Sequence, residues 1–440
     1  MGNKEYSSKS IFSKAIFNVA FQVFPILVAL ILMPVLINNL GKDFWAKYTT
    51  GISIIFLSNY FSFGIGPTLN RRISELVGKK NHKKVGSEIE KCISLSYLLG
   101  GGFLAVFLVL LLAAYFTKAF SILQSPTDFL FYLITTTCFL VVLLTIPYRS
   151  TLEAFSDFYF LSVFRALSSS MLFLVPFVLW LFGFGTLTIS AWCLLIFYLI
   201  IWILFYMRAT KHKIEYGFSF ARPFQRKLAT GVVRPNRDFL SETLSFSIFF
   251  LCSATVLFLD RFYYALFFDT KLLSDHVTML DLFNRAAIVT GTISLVYFSA
   301  ISVWYNEENF LRIKKNLRFQ FTVVAFLFTA IIIFSIFFLK DLMAWWLSES
   351  FSDFIANVSF PLLLGILLIN FEILMIRPLQ AIGQINKVNR WLVFSTSTYV
   401  AMILFIGFFE LIYYHYIALV LKGSIDCIAL FIMLKKEKLI

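Results

Sequence analysis

Charged side chains within long apolar stretches are the residues of this sequence whose types and spacing could do chemistry. Asp281 and Arg285 lie four residues apart in such a stretch, and this spacing places two side chains on one face of a helix. A charge in the middle of a bilayer costs roughly 2.5–3.5 kcal/mol on insertion scales, so it needs a partner, a wet cavity or a route to the surface. The pair therefore indicates either an ion pair that locks helices together or the cationic lining of a cavity that receives an anion.

Three further sets of polar residues lie within apolar stretches or at their ends: Asp260 with Arg261, Lys422 with Asp426, and Asn18 with Gln22. The first two residues are adjacent and point to different helix faces, which fits charges at a membrane surface as well as a cavity lining. The second set is four residues apart near the middle of its stretch and favours a structural ion pair. The third set shares one face and could form helix–helix hydrogen bonds or line a wet cavity.

Arg71 and Arg72 follow the second apolar stretch, in a segment that reads "FGIGPTLNRRISE". Guanidinium groups bind phosphate oxygens through two parallel hydrogen bonds. Two adjacent arginines at the mouth of a cavity could therefore receive a pyrophosphate group. Positive charge at this position also serves membrane topology, and that alternative stays open.

The elements that position these residues are predicted to be membrane-spanning helices. The chain has 440 residues, of which 60% are hydrophobic and 14% charged, and its mean hydropathy of +0.84 exceeds that of a soluble domain. A helix needs about 20 apolar residues to span the hydrocarbon. About twelve segments qualify, at residues 15–37, 45–66, 92–117, 129–148, 159–183, 186–207, 241–262, 277–302, 319–340, 357–377, 391–409 and 413–434. The sequence predicts an all-α polytopic membrane protein.

Lysines and arginines concentrate in every second loop between these segments. Eight lie from Arg208 to Arg237, whereas the next loop holds one, Lys271. Because such residues collect on the cytoplasmic side of a membrane, both chain termini are predicted to be cytoplasmic. This topology also accounts for the net charge of +14, so the sequence predicts no nucleic-acid partner.

The two halves of the chain have similar layouts. A similar short motif stands at the end of the fourth segment, "YRSTLEA", and at the end of the tenth, "IRPLQA". This spacing predicts an N-terminal six-helix bundle at 1–207, a basic cytoplasmic linker at 208–240 and a C-terminal six-helix bundle at 241–440. The outward loops are short and leave no room for an extramembrane active site, so an enzyme is not predicted. The five cysteines are widely spaced, which predicts neither a metal site nor a disulfide framework, and no cofactor is expected.

Three segments carry a resemblance to a known family: "PVLINNLGKDFWAKYTTGISIIF" from Pro34 to Phe56, "FGIGPTLNRRISE" from Phe63 to Glu75, and "LQAIGQINK" from Leu379 to Lys387. Together with the layout of twelve spans, they resemble the Wzx-type O-antigen and polysaccharide flippases of the MATE-like exporter superfamily. The resemblance implies two six-helix bundles around a central cavity that opens to one side of the membrane at a time.

The resemblance also implies a substrate and a location. It implies a flippase that moves undecaprenyl-pyrophosphate-linked oligosaccharide repeat units from the cytoplasmic to the outer leaflet of the bacterial inner membrane, for O-antigen and lipopolysaccharide synthesis. A polysaccharide polymerase and a chain-length regulator would then be partners, beside the lipid bilayer. The candidates for substrate binding are the polar residues introduced above: Arg285, Asp281, Arg261, Asp260, Arg71, Arg72, Asn18 and Gln22.

Two alternatives to the flippase remain. A cation-coupled exporter of drugs or small molecules would share the fold, but the acidic residues of the first half fall outside the predicted spans or at their edges. A membrane-embedded polysaccharide polymerase or acyltransferase is a weaker alternative, because the four histidines are scattered and the outward loops are short.

Overall fold

The computed structural model describes residues 8–60, 64–78, 81–118, 120–155, 157–220, 237–285, 301, 304–305 and 308–440. Within these residues the chain forms thirteen α-helices joined by short connections, without a β-strand. The first six helices are α1 (Ser8–Tyr60), α2 (Ile65–Gly78), α3 (Val85–Thr117), α4 (Pro126–Ala154), α5 (Phe158–Leu181) and α6 (Leu187–Tyr216). The others are α7 (Arg237–Leu257), α8 (Leu259–Phe267), α9 (Thr270–Asn284), α10 (Phe310–Leu347), α11 (Asp353–Ala381), α12 (Ile385–Phe408) and α13 (Ile412–Lys436).

Ten helical stretches in the described part are long and apolar enough to cross a membrane, which confirms the prediction of an all-α polytopic membrane protein. The first of them, Val23–Ser58, belongs to α1, which bends at Gly41 (φ 85°, ψ 159°). A positive φ favours glycine because the residue has no Cβ. The first two predicted spans are therefore separated by one bend. The predicted eighth span begins in α9, and its residues 286–300 lie outside the described part.

The chain divides into two compact units, each with its own packing. The N-terminal unit holds the described residues of Met1–Ser10 and Asp43–Phe262 together with Ala20–Leu32. The C-terminal unit holds the described residues of Tyr263–Ile440 together with Ile11–Val19 and Met33–Lys42. Helix α1 thus contributes to both units. The bundle and linker boundaries predicted from the sequence stay a prediction.

In the N-terminal unit, α2 is amphipathic because its large apolar residues recur at four-residue spacing. Ile65, Leu69 and Ile73 are fully buried in the hydrophobic core, while Arg71 on the same helix is exposed. Helix α2 packs against α3 and α4. The burial of the apolar face fixes the position of the two arginines that the sequence singles out.

The beginning of α4 is held by a reciprocal cap. Ser125 accepts a hydrogen bond from the Asp128 amide, and the Asp128 carboxylate accepts one from the Ser125 amide, so two amides of the first turn are satisfied. The Asp128 carboxylate also lies 3.2 Å from Lys47 Nζ. This contact ties the beginning of α4 to the second half of α1.

A second carboxylate holds the beginning of α5 against α6. Burial opposes the charge on Asp157, but hydrogen bonds from Arg208 Nε (2.6 Å) and with His212 Nε2 (3.2 Å) outweigh this effect. As a result, the pKa of Asp157 is lowered from its ordinary value. The imidazole ring of His212 also stacks on Phe155, with ring centroids 5.2 Å apart.

In the C-terminal unit, a buried carboxylate joins three elements. Asp275 of α9 accepts hydrogen bonds from Lys42 Nζ (2.5 Å) and from Ser352 Oγ (2.6 Å). Lys42 follows the bend of α1, and Ser352 is the N-cap residue of α11. One carboxylate therefore ties α1, α9 and the beginning of α11 together.

The surface of α10 is apolar along much of its length. Phe319, Phe326, Phe337 and Trp345 are all more than half exposed. Apolar side chains without a covering element suit a hydrocarbon environment. This surface is the one expected of a helix that faces lipid.

Candidate functional site

A cavity of about 220 Å³ lies within the N-terminal unit, and two arginines line it. It is bounded by α1, α4, α5 and α6. Its polar lining consists of Thr145, Arg149, Arg165, Ser168, Ser169 and Tyr198. The rest of its wall is apolar, from Ile55, Phe56, Val142, Ile146, Phe164, Ile201 and Phe205. The cavity is therefore mostly apolar and carries a cationic patch on one side.

Both arginines of the cavity pair with the same carboxylate, that of Glu153. The Glu153 Oε1 atom forms an ion pair with Arg165 Nη2 and lies 3.8 Å from Arg149 Nε. All three side chains are half-buried. Together the three groups carry a net charge of +1, so this part of the cavity attracts an anion. Guanidinium groups present several N–H donors in a geometry that matches phosphate and carboxylate oxygens.

Helix geometry explains how these residues meet. Arg149 and Glu153 lie four residues apart on α4 and share a face, and Arg165 lies two turns into the neighbouring helix α5. The fourth predicted span, 129–148, ends one residue before Arg149, and this predicted end is wrong. The apolar run ends at the first charge, but α4 continues to Ala154. The four-residue spacing of Arg149 and Glu153 is the signal that could have identified the site.

Asp281 and Arg285 occupy the end of α9. Asp281 lies on the helix and Arg285 is its C-cap residue, both are half-buried, and the two charges interact. Residues 286–300, which follow directly, lie outside the described part of the chain. A cavity-lining role for this pair stays a prediction.

Asp260 and Arg261 lie on α8 and are both buried. Arg261 Nη1 donates hydrogen bonds to Ser53 Oγ (2.5 Å) and to the Thr49 carbonyl oxygen (3.2 Å) of α1. Its guanidinium also lies over the Phe258 ring, 5.7 Å from the centroid. Arg261 therefore ties α8 to α1, and the choice between a charge at the membrane surface and a cavity lining stays a prediction.

Arg71 and Arg72 have different surroundings although they are adjacent. Arg72 is half-buried, with Nη1 3.4 Å from Glu88 Oε2 and its guanidinium 4.9 Å from the centroid of the Phe239 ring. Arg71 is exposed. The structure thus holds Arg72 between α3 and α7, and a pyrophosphate-receiving role for the two arginines stays a prediction.

This difference leads to an expected result for two matched substitutions. We expect Arg72→Ala to destabilise the protein by about 1 kcal/mol, because it removes an ion pair and a cation–π contact. Arg71→Ala should change stability less, because that side chain is exposed. Thermal unfolding of the two purified variants in detergent measures the difference. Equal losses in the two variants would contradict a specific packing role for Arg72.

Asn18 and Gln22 lie in the first part of α1, where only the helical backbone is described. Their side chains lie outside the described part of the structure. Their expected roles, in helix–helix hydrogen bonding or in a wet cavity, stay predictions.

Fold and cavity together define a polytopic, all-α membrane protein with an internal cationic cavity. The family profile MatE matches residues 19–180. This range includes Arg149, Glu153 and Arg165. Among curated proteins, none matches this sequence.

Solved structures of similar fold cover almost the whole chain. A multidrug resistance MATE family transporter of the MOP superfamily, in an inward-facing conformation, is 15% identical with a TM-score of 0.67, over 96% of this chain and 98% of that chain. A MATE structure in the straight conformation is 14% identical with a TM-score of 0.68, over 97% and 95%. A MOP superfamily transporter from Pyrococcus furiosus, described as having a binding pocket of reverse polarity, is 12% identical with a TM-score of 0.66, over 97% and 94%. At these identities the likeness shows a shared fold.

Proposed function

We propose that this protein is a flippase that moves undecaprenyl-pyrophosphate-linked oligosaccharide repeat units from the cytoplasmic to the outer leaflet of the bacterial inner membrane. The observation that carries this proposal is the cavity in which Arg149 and Arg165 share one carboxylate. Its surplus positive charge lies beside an apolar wall. This lining complements an amphiphile that has an anionic headgroup and a hydrocarbon tail.

The energetic reason for such a cavity is the cost of moving phosphates across hydrocarbon. An ionised group without water or a partner is very unfavourable in an apolar medium. Charge-assisted hydrogen bonds from two guanidinium groups can replace part of the lost hydration. Arg149 and Arg165 are placed to supply them, and Glu153 limits the surplus charge so that the anion can leave again.

The size of the cavity supports a headgroup anion as its occupant. A pocket that encloses a drug-sized ligand has a volume of roughly 300–1,000 Å³, and this cavity has about 220 Å³. A phosphate or pyrophosphate group fits this space, whereas an oligosaccharide must extend beyond it. The proposed site therefore holds the part that all lipid-linked repeat units share.

Alternating access is part of the same proposal. Structures of similar fold include MATE family transporters in an inward-facing conformation and in an outward-facing conformation. Cytoplasmic chain termini, and a polysaccharide polymerase and a chain-length regulator as partners, also belong to the proposal. The polymerase would consume the repeat units that the flippase delivers to the outer leaflet.

Export of a drug is the second candidate, because relatives of similar fold are described as multidrug resistance transporters. The net charge of +1 shared by Arg149, Glu153 and Arg165 disfavours a cationic drug at this site, since like charges repel. A neutral drug gains less from the arginines than an anion does, because it lacks the charge that strengthens the hydrogen bonds. The flippase is thus the function that this cavity supports better.

Transport of a fluorescent substrate in proteoliposomes tests the proposal. Purified protein is reconstituted with an undecaprenyl-pyrophosphate-linked oligosaccharide whose sugar carries a fluorophore, and a quencher that cannot cross the membrane is added outside. We expect the quenched fraction to exceed the outer-leaflet share only when the protein is present. A cationic fluorescent drug serves as the comparison substrate. Movement of the drug without movement of the lipid-linked sugar would contradict the proposal and favour the exporter.

A further inference from the structure

An apolar groove of about 290 Å³ lies on the surface of the C-terminal unit. Its lining consists of Phe371 and Met375 of α11 and of Cys427, Ile428, Phe431 and Ile432 of α13. Ile428, Phe431 and Ile432 are each about half exposed or more, so the groove is open to the surroundings. A buried thiol behaves as a small apolar group. The lining therefore offers contacts to a hydrocarbon chain rather than to a polar solute.

The two helices that form the groove are packed closely against each other. A Cβ atom on Gly423 would lie 2.7 Å from Leu368 Cβ, which is too close for any residue with a side chain. Small residues allow two helices in a membrane protein to approach in this way. In addition, the Cys427 thiol donates a hydrogen bond to the Leu368 carbonyl oxygen (3.4 Å). One wall of the groove is thus fixed to the other.

A buried cluster of charges joins the same two helices. Lys422 and Asp426 lie one turn apart on α13, and Glu372 approaches them from α11. Lys422 Nζ lies 2.6 Å from Asp426 Oδ2 and 3.5 Å from Glu372 Oε2, and the three side chains are 5%, 0% and 7% exposed, respectively. The predicted ion pair of Lys422 and Asp426 is confirmed, and a second carboxylate joins it. Packing and charge together keep the groove in one shape.

Two lysines continue the groove toward the C-terminal end of α13. Lys435 lies four residues after Phe431, and Lys436 lies four residues after Ile432. At this spacing each lysine shares a helix face with a residue of the groove, one turn further along. Both lysines are exposed. The apolar groove therefore ends at two positive charges.

The neighbouring carboxylate does not neutralise these lysines. Glu437 is engaged by α12 and the residue before it, because Lys387 Nζ lies 3.0 Å from one of its oxygens and Gln384 Nε2 lies 3.3 Å from the other. Within the described part of the chain, Lys435 and Lys436 form no ion pair. Their charge is available to an anion that comes from outside the protein.

We propose that the groove and the two lysines form a binding site for an anionic phospholipid. One acyl chain lies in the groove, and the phosphodiester lies against the two ammonium groups. In a bilayer the groove alone selects little, because all lipid tails are equally apolar. Basic residues beside transmembrane helices attract anionic headgroups, and the groove favours an anion that carries a hydrocarbon chain. The inference does not depend on the cargo of the N-terminal cavity.

Native mass spectrometry of the purified protein in detergent tests the site without any transport. The protein is titrated with phosphatidylglycerol, or with phosphatidylcholine that has the same acyl chains. The fraction of protein that carries one lipid gives a Kd for each lipid. We expect the Kd for phosphatidylglycerol to be about tenfold lower, because two lysines face its net negative headgroup.

Two pairs of variants separate the contributions of charge and groove. Lys435→Gln combined with Lys436→Gln should remove the preference for phosphatidylglycerol, whereas the same change at the adjacent exposed lysines Lys83 and Lys84 should keep it. Ile428→Trp fills the groove at an exposed position and keeps both lysines, so it should raise the Kd for phosphatidylglycerol severalfold. Ile196→Trp, at a similarly exposed position on α6, should leave that Kd unchanged.

Four outcomes would overturn the proposal. They are an equal Kd for the two phospholipids in the wild-type protein, a preference that survives in the Lys435 and Lys436 double variant, an unchanged Kd in Ile428→Trp, and tighter binding of undecaprenyl phosphate than of phosphatidylglycerol. The last result would assign the groove to a carrier lipid instead. Since no flipping is measured, these results are separate from success or failure of the flippase assay.

Discussion

Replacing Arg149 and Arg165 together by glutamine should reduce transport of the lipid-linked sugar to the rate seen in protein-free liposomes. Each single replacement should reduce it by about tenfold to a hundredfold, because hydrogen bonds to a charged group contribute about 1.5–3 kcal/mol. Arg165→Lys should retain part of the activity, since it keeps the charge but loses the two parallel N–H donors. The proteoliposome quenching assay measures all of these rates.

Two control variants separate substrate binding from a structural role. Glu153→Gln removes the carboxylate that both arginines share and raises the local charge from +1 to +2, so a site for an anionic substrate should show a lower KM. A purely structural cluster would instead lose activity, because it loses its ion pairs. Arg390→Gln makes the arginine change at an exposed position and should leave transport unchanged. Wild-type rates in the double glutamine variant would reject the cavity as the substrate site.

Asp426→Ala should destabilise the protein more than any other substitution considered for the C-terminal unit. It leaves the Lys422 ammonium buried with Glu372 as its remaining partner and removes the acceptor of Trp391 and Ser395. Removing one partner of a buried ion pair costs about 3–5 kcal/mol when the other charge is left alone, and because Glu372 still faces Lys422 at 3.5 Å we expect a smaller loss of about 1–3 kcal/mol. Thermal unfolding of the detergent-purified variant, compared with wild type, measures this loss.

A double substitution tests whether the loss comes from the weaker pairing of the Lys422 ammonium. Lys422→Met combined with Asp426→Leu removes both charges and keeps the volume apolar, which is often neutral or stabilising for a buried ion pair. We expect this variant to recover most of the stability that Asp426→Ala loses. If the double variant unfolds as early as the single one, packing or the hydrogen bonds of Trp391 and Ser395 are responsible instead.

The helical class of the fold could be predicted from the sequence because length and hydropathy are local properties. Runs of about 20 apolar residues must be helical in a bilayer, since their backbone groups have no other hydrogen-bond partners. The ends of the helices could not be predicted in the same way. Helix α4 continues through Arg149 and Glu153, and α3 begins at Val85 among charged residues. A hydropathy window ends a predicted helix at such charged residues. In the structure, ion pairs with neighbouring helices compensate these charges, so the helices are longer than predicted.

The contacts of the charged residues, in the candidate site and elsewhere, were harder to predict because their partners lie on other helices. The Lys422–Asp426 pair is visible in the sequence at four-residue spacing, but Glu372 lies far away in the chain and joins the pair only through the packing of α11 against α13. In the same way, Arg165 meets Glu153 across two helices. Arg261 appeared to be a charge at a span end, yet contacts with α1 bury it completely.

The ammonium group of Lys422 has a consequence for the conditions under which the C-terminal unit keeps its structure. Two buried carboxylates normally need a counter-ion, and a dissolved cation would have to be recruited from the surroundings. Here one positive charge, the ammonium group of Lys422, is attached covalently to α13, so it stays beside both carboxylates at any salt concentration. Binding of a dissolved sodium or potassium ion is therefore not needed to place a positive charge between them.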